Sequence, residues 1–264
     1  MDALDLNRAH WDALAAVHGQ DAYYDKDALV SGRDSLNEFE AAAVGDVTGL
    51  DVLHLQCHIG FDSISLARRG ARVTGADFSP KSLAAAAELA TRAGVEVEWV
   101  EADATALPET LHGRFDVVYA TSGVLCWIAD IDAWMQSVAS ALRPGGRLVL
   151  VELHPLYLMV SSTDPLVLDF PYAFDGGRTF DEPGSYADAE ADVAATTTVE
   201  YAHSLGEVVT AAVGAGLRID ALHEHLDAAR DLRGGLLPRE ADGRCRLRVG
   251  GEVLPLFYTL RASR

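Results

Sequence analysis

Five short apolar runs, DVLHLQC (51–57), ARVTGAD (71–77), EVEWVEAD (96–103), RFDVVYAT (114–121) and GRLVLVEL (146–153), alternate with stretches of helical spacing, SISLARRG, SPKSLAAAAELATRAG and DIDAWMQSVASALRPGG. Strands separated by helices are βαβ units, and these build a parallel sheet with helices on both faces. Gly and Pro close each helical stretch, so the boundaries are punctuated as well as periodic. The expectation is a doubly wound α/β fold.

After residue 154 the rhythm breaks. Residues 155–202 are long, rich in Gly, Pro and Asp, and read as a lid inserted over the sheet edge rather than as a domain of its own. Alternation then resumes with SLGEVVTAAVGAGL as a helix, RIDALHEHL as a strand and VLPLFYTLRA as the closing strand. The amphipathic segment LDLNRAHWDALAAVHGQDAYYDKDALV precedes the first strand and reads as a cover for the same edge. The expected division is thus a helical cap over 1–47, a ligand-binding core over 48–154, the lid over 155–202 and the rest of the core sheet over 203–264.

Composition narrows the partners. With 40 acidic against 21 basic residues the net charge is −19, which repels a phosphate backbone or an anionic membrane over most of the surface. The expected partner is therefore a small molecule, with no nucleic acid and no membrane; a homodimer is the assembly to test. The basic stretch RDLRGGLLPREADGRCRLRV, residues 230–249, reads as a solvated loop and edge strand, with a carboxylate clamp as the other reading. Cys57, Cys126 and Cys245 form no CxxC pair and read as reduced structural thiols. No run approaches the roughly 18 apolar residues of a membrane span, and the acidic start MDALDLNRAHWDAL is unlike a secretory signal, so a cytoplasmic protein is expected.

Open α/β sheets bind ligands outside the carboxyl ends of their strands, where this chain places Gln56 to Asp62, Asp77, Asp103, Thr121 to Gly123, and Glu152 with His154. An acid closing the second strand suits the hydroxyls of a ribose. A dinucleotide fingerprint would set glycines at Gln56, His58 and Phe61, and none is Gly, so the close approach of a pyrophosphate has no support. S-adenosylmethionine carries adenosine without a phosphate, and its amino and carboxylate groups can take side-chain partners such as Asp62 or Gln56. That ligand suits the altered turn.

These segments resemble the class I S-adenosylmethionine-dependent methyltransferases, from about residue 48 to 153 and more weakly through the last helix and two strands. VLHLQCHIG is similar to the first motif of that family, VTGADFSPKSL to its acidic second strand, EADATALP to its adenine-contacting segment, and FDVVYA with LRPGGRLVLVE to its fourth and fifth strands. The resemblance implies a Rossmann-like, seven-stranded sheet, mostly parallel with an antiparallel last strand. It implies that Gly60 admits the cofactor at the first turn, Asp77 holds the ribose and Phe78 lies against the adenine. Asp103 would accept from the adenine amino group with Ala104 at the ring, and Thr121 would stand beside the methionine tail. Gln56 and His58 replace two glycines of the motif, and His54 replaces its acid. His58 is a candidate partner of the cofactor carboxylate, and His54 reads as a satisfied strand histidine.

The chemistry implied is in-line displacement at a sulfonium methyl group, in which proximity and alignment do most of the work. S-adenosylhomocysteine is then the product. A base helps an oxygen or protonated amine acceptor, and His154, with Glu152 two residues earlier on the same side, is the expected base or orienter. Six aromatics, Tyr157, Phe170, Tyr172, Phe174, Phe180 and Tyr186, crowd the lid, which suits a ring-containing acceptor or the lid's own core. Trp11, Tyr23, Tyr24, Tyr172 and His203 are the expected substrate contacts. His223 and His225 share one strand face, a spacing metals use, but no third ligand accompanies them, so no metal is expected. The competing readings are a non-catalytic binding protein on the same fold and a nucleotide-dependent oxidoreductase.

Overall fold

A computed structural model of the chain describes residues 2–18, 23–231 and 236–264; Arg233 of the basic stretch lies outside them. Three helices come first, α1 (Ala3–Val17), α2 (Lys26–Val30) and α3 (Glu38–Val44). Each begins on a side chain that accepts from the otherwise orphaned N–H groups of its first turn: Asp2, Asp25 and Asn37. Asn37 and Glu40 form a reciprocal capping box, which fixes the Glu40 side chain at the helix start.

The core follows as β1 (Asp51–Leu55), α4 (Phe61–Arg68), β2 (Arg72–Asp77), α5 (Pro80–Ala93), β3 (Glu98–Glu101), β4 (Phe115–Thr121), α6 (Ile131–Ala141) and β5 (Leu142–Leu153). Beyond it lie α7 (Pro155–Met159), the ribbon strands β6 (Val160–Thr163), β7 (Leu166–Leu168), β8 (Arg178–Asp181) and β9 (Thr197–Glu200), and then α8 (Leu205–Gly214) and β10 (Arg218–His225). A short ribbon of β11 (Leu247–Val249) and β12 (Glu252–Leu254) precedes the last strand, β13 (Phe257–Ser263).

Seven strands form the main sheet in the order β10-β13-β5-β4-β1-β2-β3. β1, β2, β3, β4 and β5 pair in parallel, and β13 runs antiparallel to both of its neighbours. This is the Rossmann-like sheet expected. Strand order reverses between β1 and β4, which opens a crevice beyond their carboxyl ends. Leu53, Val118 and Leu150 pack one face of the sheet against Trp134, Met135 and Val138 of α6. Val52, Val117 and Val149 pack the other face against Val44 and Leu66. Fully burying a side chain of this size contributes about 1.5–3 kcal/mol, and the strand ends that shape the crevice hang from this double core.

Two details depart from the sequence reading. The closing run VLPLFYTLRA divides at Pro255, which has no N–H for a ladder, so Glu252–Leu254 pairs with Leu247–Val249 while Phe257–Ser263 joins the main sheet. The basic stretch is matched by acids inside and outside it: Arg244 reaches Asp227 and Glu38, Arg246 reaches Glu240 and Asp242, and Arg248 reaches Glu240. Among the described residues no helix is long and apolar enough to cross a membrane.

Candidate functional site

The turn after β1 keeps the backbone that glycines would give. Gln56 and His58 have φ of 56° and 47°, and Gly60 follows at 78°. Each non-glycine residue held in this left-handed region costs about 1–2 kcal/mol, so the surrounding structure over-determines the turn. Gln56 donates to the Val124 carbonyl at 3.0 Å and accepts from the Trp134 indole N–H at 2.9 Å. The Cys57 N–H donates to the Ala76 carbonyl, which ties the turn to β2. Gly60 is explained by packing: a Cβ there would stand 2.6 Å from the Trp99 ring and 2.8 Å from the Ala86 Cβ. His54 is buried and bonded to Ser63 at 2.8 Å, and desolvation lowers its pKa to about 3.

Asp77 closes β2. Its carboxylate accepts the His58 N–H at 2.8 Å and the Ser79 N–H at 2.9 Å, and burial pushes its pKa up to about 6 against those two bonds. Asp12 of α1 accepts from the Ser79 hydroxyl at 2.6 Å, pinning the cap to the start of α5. Phe78 is half-buried beside Asp77, and Ala104 is buried in the core next to Asp103. Asp103 takes both of its bonds, from the Thr105 N–H and hydroxyl, on one oxygen.

Asp62 and Thr121 belong to a buried acidic group that the sequence did not announce. Asp62 accepts from the Ser35 hydroxyl at 2.5 Å and the Tyr119 hydroxyl at 3.2 Å, while Thr121 donates to Glu40 at 2.5 Å. Burial raises both carboxyl pKa values, and for Glu40 the charge of Asp62 adds to it. The Asn-x-x-Glu spacing at 37–40 was the available signal for Glu40.

Above the turn, α1 and residues 155–202 form a roof. His18 bonds to His58 at 2.7 Å and to Ser185 at 2.6 Å, and His58 reaches Ser82 at 3.1 Å. Desolvation lowers His18 to about 4 and holds His58 well below its ordinary range, so the pair is neutral at pH 7. Trp11 sets its ring edge-on to His58 at 4.9 Å and to Trp127 at 5.3 Å. Tyr24 bonds to the Tyr186 hydroxyl and packs on Phe61, and Tyr23 lies under Arg230. Tyr172 stands exposed on the lid, outside these ring contacts. The stripe Asn7, His10, Trp11, Leu14, His18 has helical spacing, and it was the signal for the roof's inner face.

At the other end of the crevice, Glu152 accepts four backbone N–H groups, from Gly123, Val124, Leu125 and Leu153. A carboxylate has about four lone-pair positions, so Glu152 is saturated. His154 accepts the Leu156 N–H at 3.1 Å on Nδ1 and donates from Nε2 to Glu224 at 2.9 Å, toward β10. His203, following β9, donates from Nε2 to the Ile128 carbonyl at 2.7 Å. A small cavity of about 20 Å³ lies between Gly123, Cys126, Glu152, Tyr201, His203 and Tyr258. A cleft of about 840 Å³ opens on the outer side of α1, between Asp12, Ala16, Lys81 and residues 188–195.

The donor set fits an adenosyl ligand. Asp77 and Asp103 each have acceptor positions beyond those their own loops use, enough for ribose hydroxyls and an exocyclic amine. The left-handed turn supplies the backbone, and a Cβ on Gly123 would meet nothing nearer than Leu153 at 4.0 Å.

Residues 52–146 match the family described as a methyltransferase domain. A demethylmenaquinone methyltransferase of Thermus thermophilus is 44% identical over 86 residues, covering 33% of this chain and 38% of that protein. A ubiquinone biosynthesis O-methyltransferase of Sinorhizobium fredii is 36% identical over 106 residues, covering 40% of this chain and 42% of that one. The chain thus spans about two fifths of the length of these curated relatives. An S-adenosylmethionine-dependent methyltransferase from Mesorhizobium loti superposes with a TM-score of 0.61 at 24% identity, over 89% of this chain and all of that one, a likeness of fold. Residues 52–146 are thus similar to a methyltransferase domain, and the fold is like that of the S-adenosylmethionine-dependent methyltransferases.

Proposed function

We propose that the protein transfers a methyl group from S-adenosylmethionine to an O, N or C atom of a small, ring-containing molecule. The observation that carries this reading is the junction of the left-handed Gln56–His58 turn with the buried carboxylate of Asp77 at the end of β2, which accepts from the His58 and Ser79 N–H groups. When bound, the cofactor supplies an electrophilic methyl carbon on a sulfonium whose leaving group needs no proton.

The chain's residues do the positioning. Asp77 takes the ribose hydroxyls, Phe78 and Ala104 flank the adenine, and the second oxygen of Asp103 takes its amine. Gln56, His58, Gly60, Asp62 and Thr121 line the methionine end, where the positive charge of an ammonium would favour the ionised form of Asp62 against its burial. Glu152 acts by holding Gly123, Val124 and Leu125, which sets the wall facing the acceptor. His154 orients α7 as its N-cap, with neither nitrogen turned to the crevice. Trp11, Tyr23 and Tyr24 from the cap cover the cofactor, Tyr172 and the other lid aromatics receive the ring, and residues 155–202 act as the lid. Alignment of this kind can lower a barrier by several kcal/mol, up to about 7–11 in the best intramolecular cases. The curated relatives' names, a demethylmenaquinone methyltransferase and a ubiquinone O-methyltransferase, favour a ring acceptor.

Calorimetric titration with S-adenosylhomocysteine, S-adenosylmethionine and NAD tests this. Both adenosyl ligands bind and NAD does not, and Asp77→Ala weakens the adenosyl ligands about 100-fold, as expected for two hydrogen bonds to a charged group. Absence of adenosyl binding by the wild-type protein sinks the reading.

A further inference from the structure

His203 follows residues 155–202 directly and lines the small cavity beside Gly123, Cys126 and Glu152. Its Nε2 faces the Ile128 carbonyl, which only accepts, so the proton of the neutral ring sits on Nε2 and Nδ1 carries a lone pair. That Nδ1 is buried with no hydrogen-bond partner among the described residues. A buried acceptor left unpartnered is destabilising, and native structures retain few of them without a use. Burial also lowers the pKa of the ring, so the lone pair is present at neutral pH.

The neighbours narrow what this lone pair can serve. Glu152 has every acceptor position filled, the Cys126 thiol points at the Gly123 carbonyl, and both nitrogens of His154 are engaged. Between the two histidines at this end of the crevice, only His203 has an uncommitted basic nitrogen. The cavity has room for about one water-sized group, the size of a hydroxyl. Phe174 lies nearly parallel to the Tyr201 and His203 rings, at 13° and 14°, a flat wall suited to a second ring.

We propose that His203 is the general base for a hydroxylated-ring acceptor, whose hydroxyl enters beside Gly123 and Cys126 and donates to Nδ1. This rests on the methyl-transfer reading above. As the acceptor oxygen forms its bond to the methyl carbon, the carbon–sulfur bond breaks with its electron pair on sulfur, and the hydroxyl proton passes to Nδ1. The imidazolium that results keeps its Nε2 bond to Ile128 and releases the proton to solvent when product leaves.

The test uses the full chain labelled with ¹⁵N-histidine and saturated with S-adenosylhomocysteine. Phenol, catechol and resorcinol serve as probes, with their methyl ethers as controls. The His203 Nδ1 resonance starts at the unprotonated position, moves with the hydroxylated rings and stays with the ethers. Kinetics with S-adenosylmethionine use His203→Gln, which retains an N–H for the Ile128 carbonyl and removes the basic nitrogen. Its kcat falls about 100-fold at unchanged affinity for S-adenosylhomocysteine, and the loss shrinks for 4-nitrocatechol, whose hydroxyl ionises unaided. A protonated Nδ1, a resonance unmoved by all three probes, or an unchanged kcat in His203→Gln overturns the proposal while leaving the methyl-transfer reading intact. Failure of the wild-type protein to bind S-adenosylhomocysteine overturns both.

Discussion

The floor and the roof of the crevice are built to different rules. In the floor, side chains at strand ends are bonded to backbone: Gln56 to Val124, Asp77 to His58 and Ser79, and Glu152 to four successive or adjoining N–H groups. In the roof, side chains meet mostly side chains, as Trp11 on His58 and Trp127, His18 on Ser185, and Tyr24 on Tyr186, with Asn7 and His10 of the α1 stripe reaching the backbone of Val199 and Ala195. Bonds to backbone at the end of a packed strand inherit the stability of the core. Ring contacts between a single helix and short ribbons do not, and segments of that kind open at lower free energy than the whole molecule. The floor holds geometry, and the roof is the part expected to open first.

The sharpest way to break this contrast is Glu152→Ala. It strands two buried and two part-buried N–H groups, each costing about 1–3 kcal/mol when unpaired, and urea denaturation is expected to show a loss of about 4 kcal/mol once the loop relaxes around them. A loss under about 1 kcal/mol means the floor is no stiffer than the roof. Gly60→Ala comes next, at about 2–3 kcal/mol, because the new Cβ meets the Trp99 ring at 2.6 Å in a left-handed residue; thermal unfolding measures it.

A pH series probes the floor in another way. The folded pKa of His54, about 3, lies below its unfolded value of 6.5, so the native state binds fewer protons there. Its contribution is fully present above pH 6.5 and is lost as pH falls toward 3, at up to about 1.4 kcal/mol per pH unit. His18 acts with the same sign down to about pH 4, and the raised carboxyl of Glu40 acts with the opposite sign, so the informative quantity is a difference. His54→Asn, which keeps a partner for Ser63 but cannot titrate there, shows a shallower loss of stability than wild type between pH 6.5 and 4; parallel curves contradict the assignment.

The roof predicts smaller numbers. Trp11→Ala lowers global stability by less than about 1 kcal/mol yet speeds hydrogen exchange in α1, and an equal loss in both measurements would merge roof and floor into one cooperative unit. Tyr172→Ala stays within about 0.5 kcal/mol of wild type, since that ring is exposed, and its effect is read in the KM for a ring acceptor.

The same contrast explains what the sequence could tell. Strand ends of the floor were legible, because a two-residue alternation with Gly and Asp punctuation places Asp77, Asp103 and Thr121 at the crevice without reference to anything distant. The conformation of Gln56 and His58 was not, since the letters argue against a left-handed backbone and bonds to distant partners, among them Val124, Trp134 and Asp77, hold it there. Alternation also put Glu152 and His154 on one side of a strand end. It carried no information on what each would meet, and their partners, the 123–125 loop and Glu224, come from elsewhere in the chain. The lid's ribbons were illegible for a related reason: β9 is held by Asn7, which both donates to and accepts from Val199 across the chain. No local pattern encodes such a pair.

A turn made of glycines would touch its surroundings through backbone alone. Here the Ser185 hydroxyl, the two imidazoles of His18 and His58, the His58 N–H and the Asp77 carboxylate form one unbroken run of short bonds from the lid down to the end of β2. In mechanical terms the turn is a joint with a tie rod attached. A pull on the lid is carried as load into the same carboxylate that would grip the ribose, and a glycine at 58 would cut the rod while leaving the joint's shape in place.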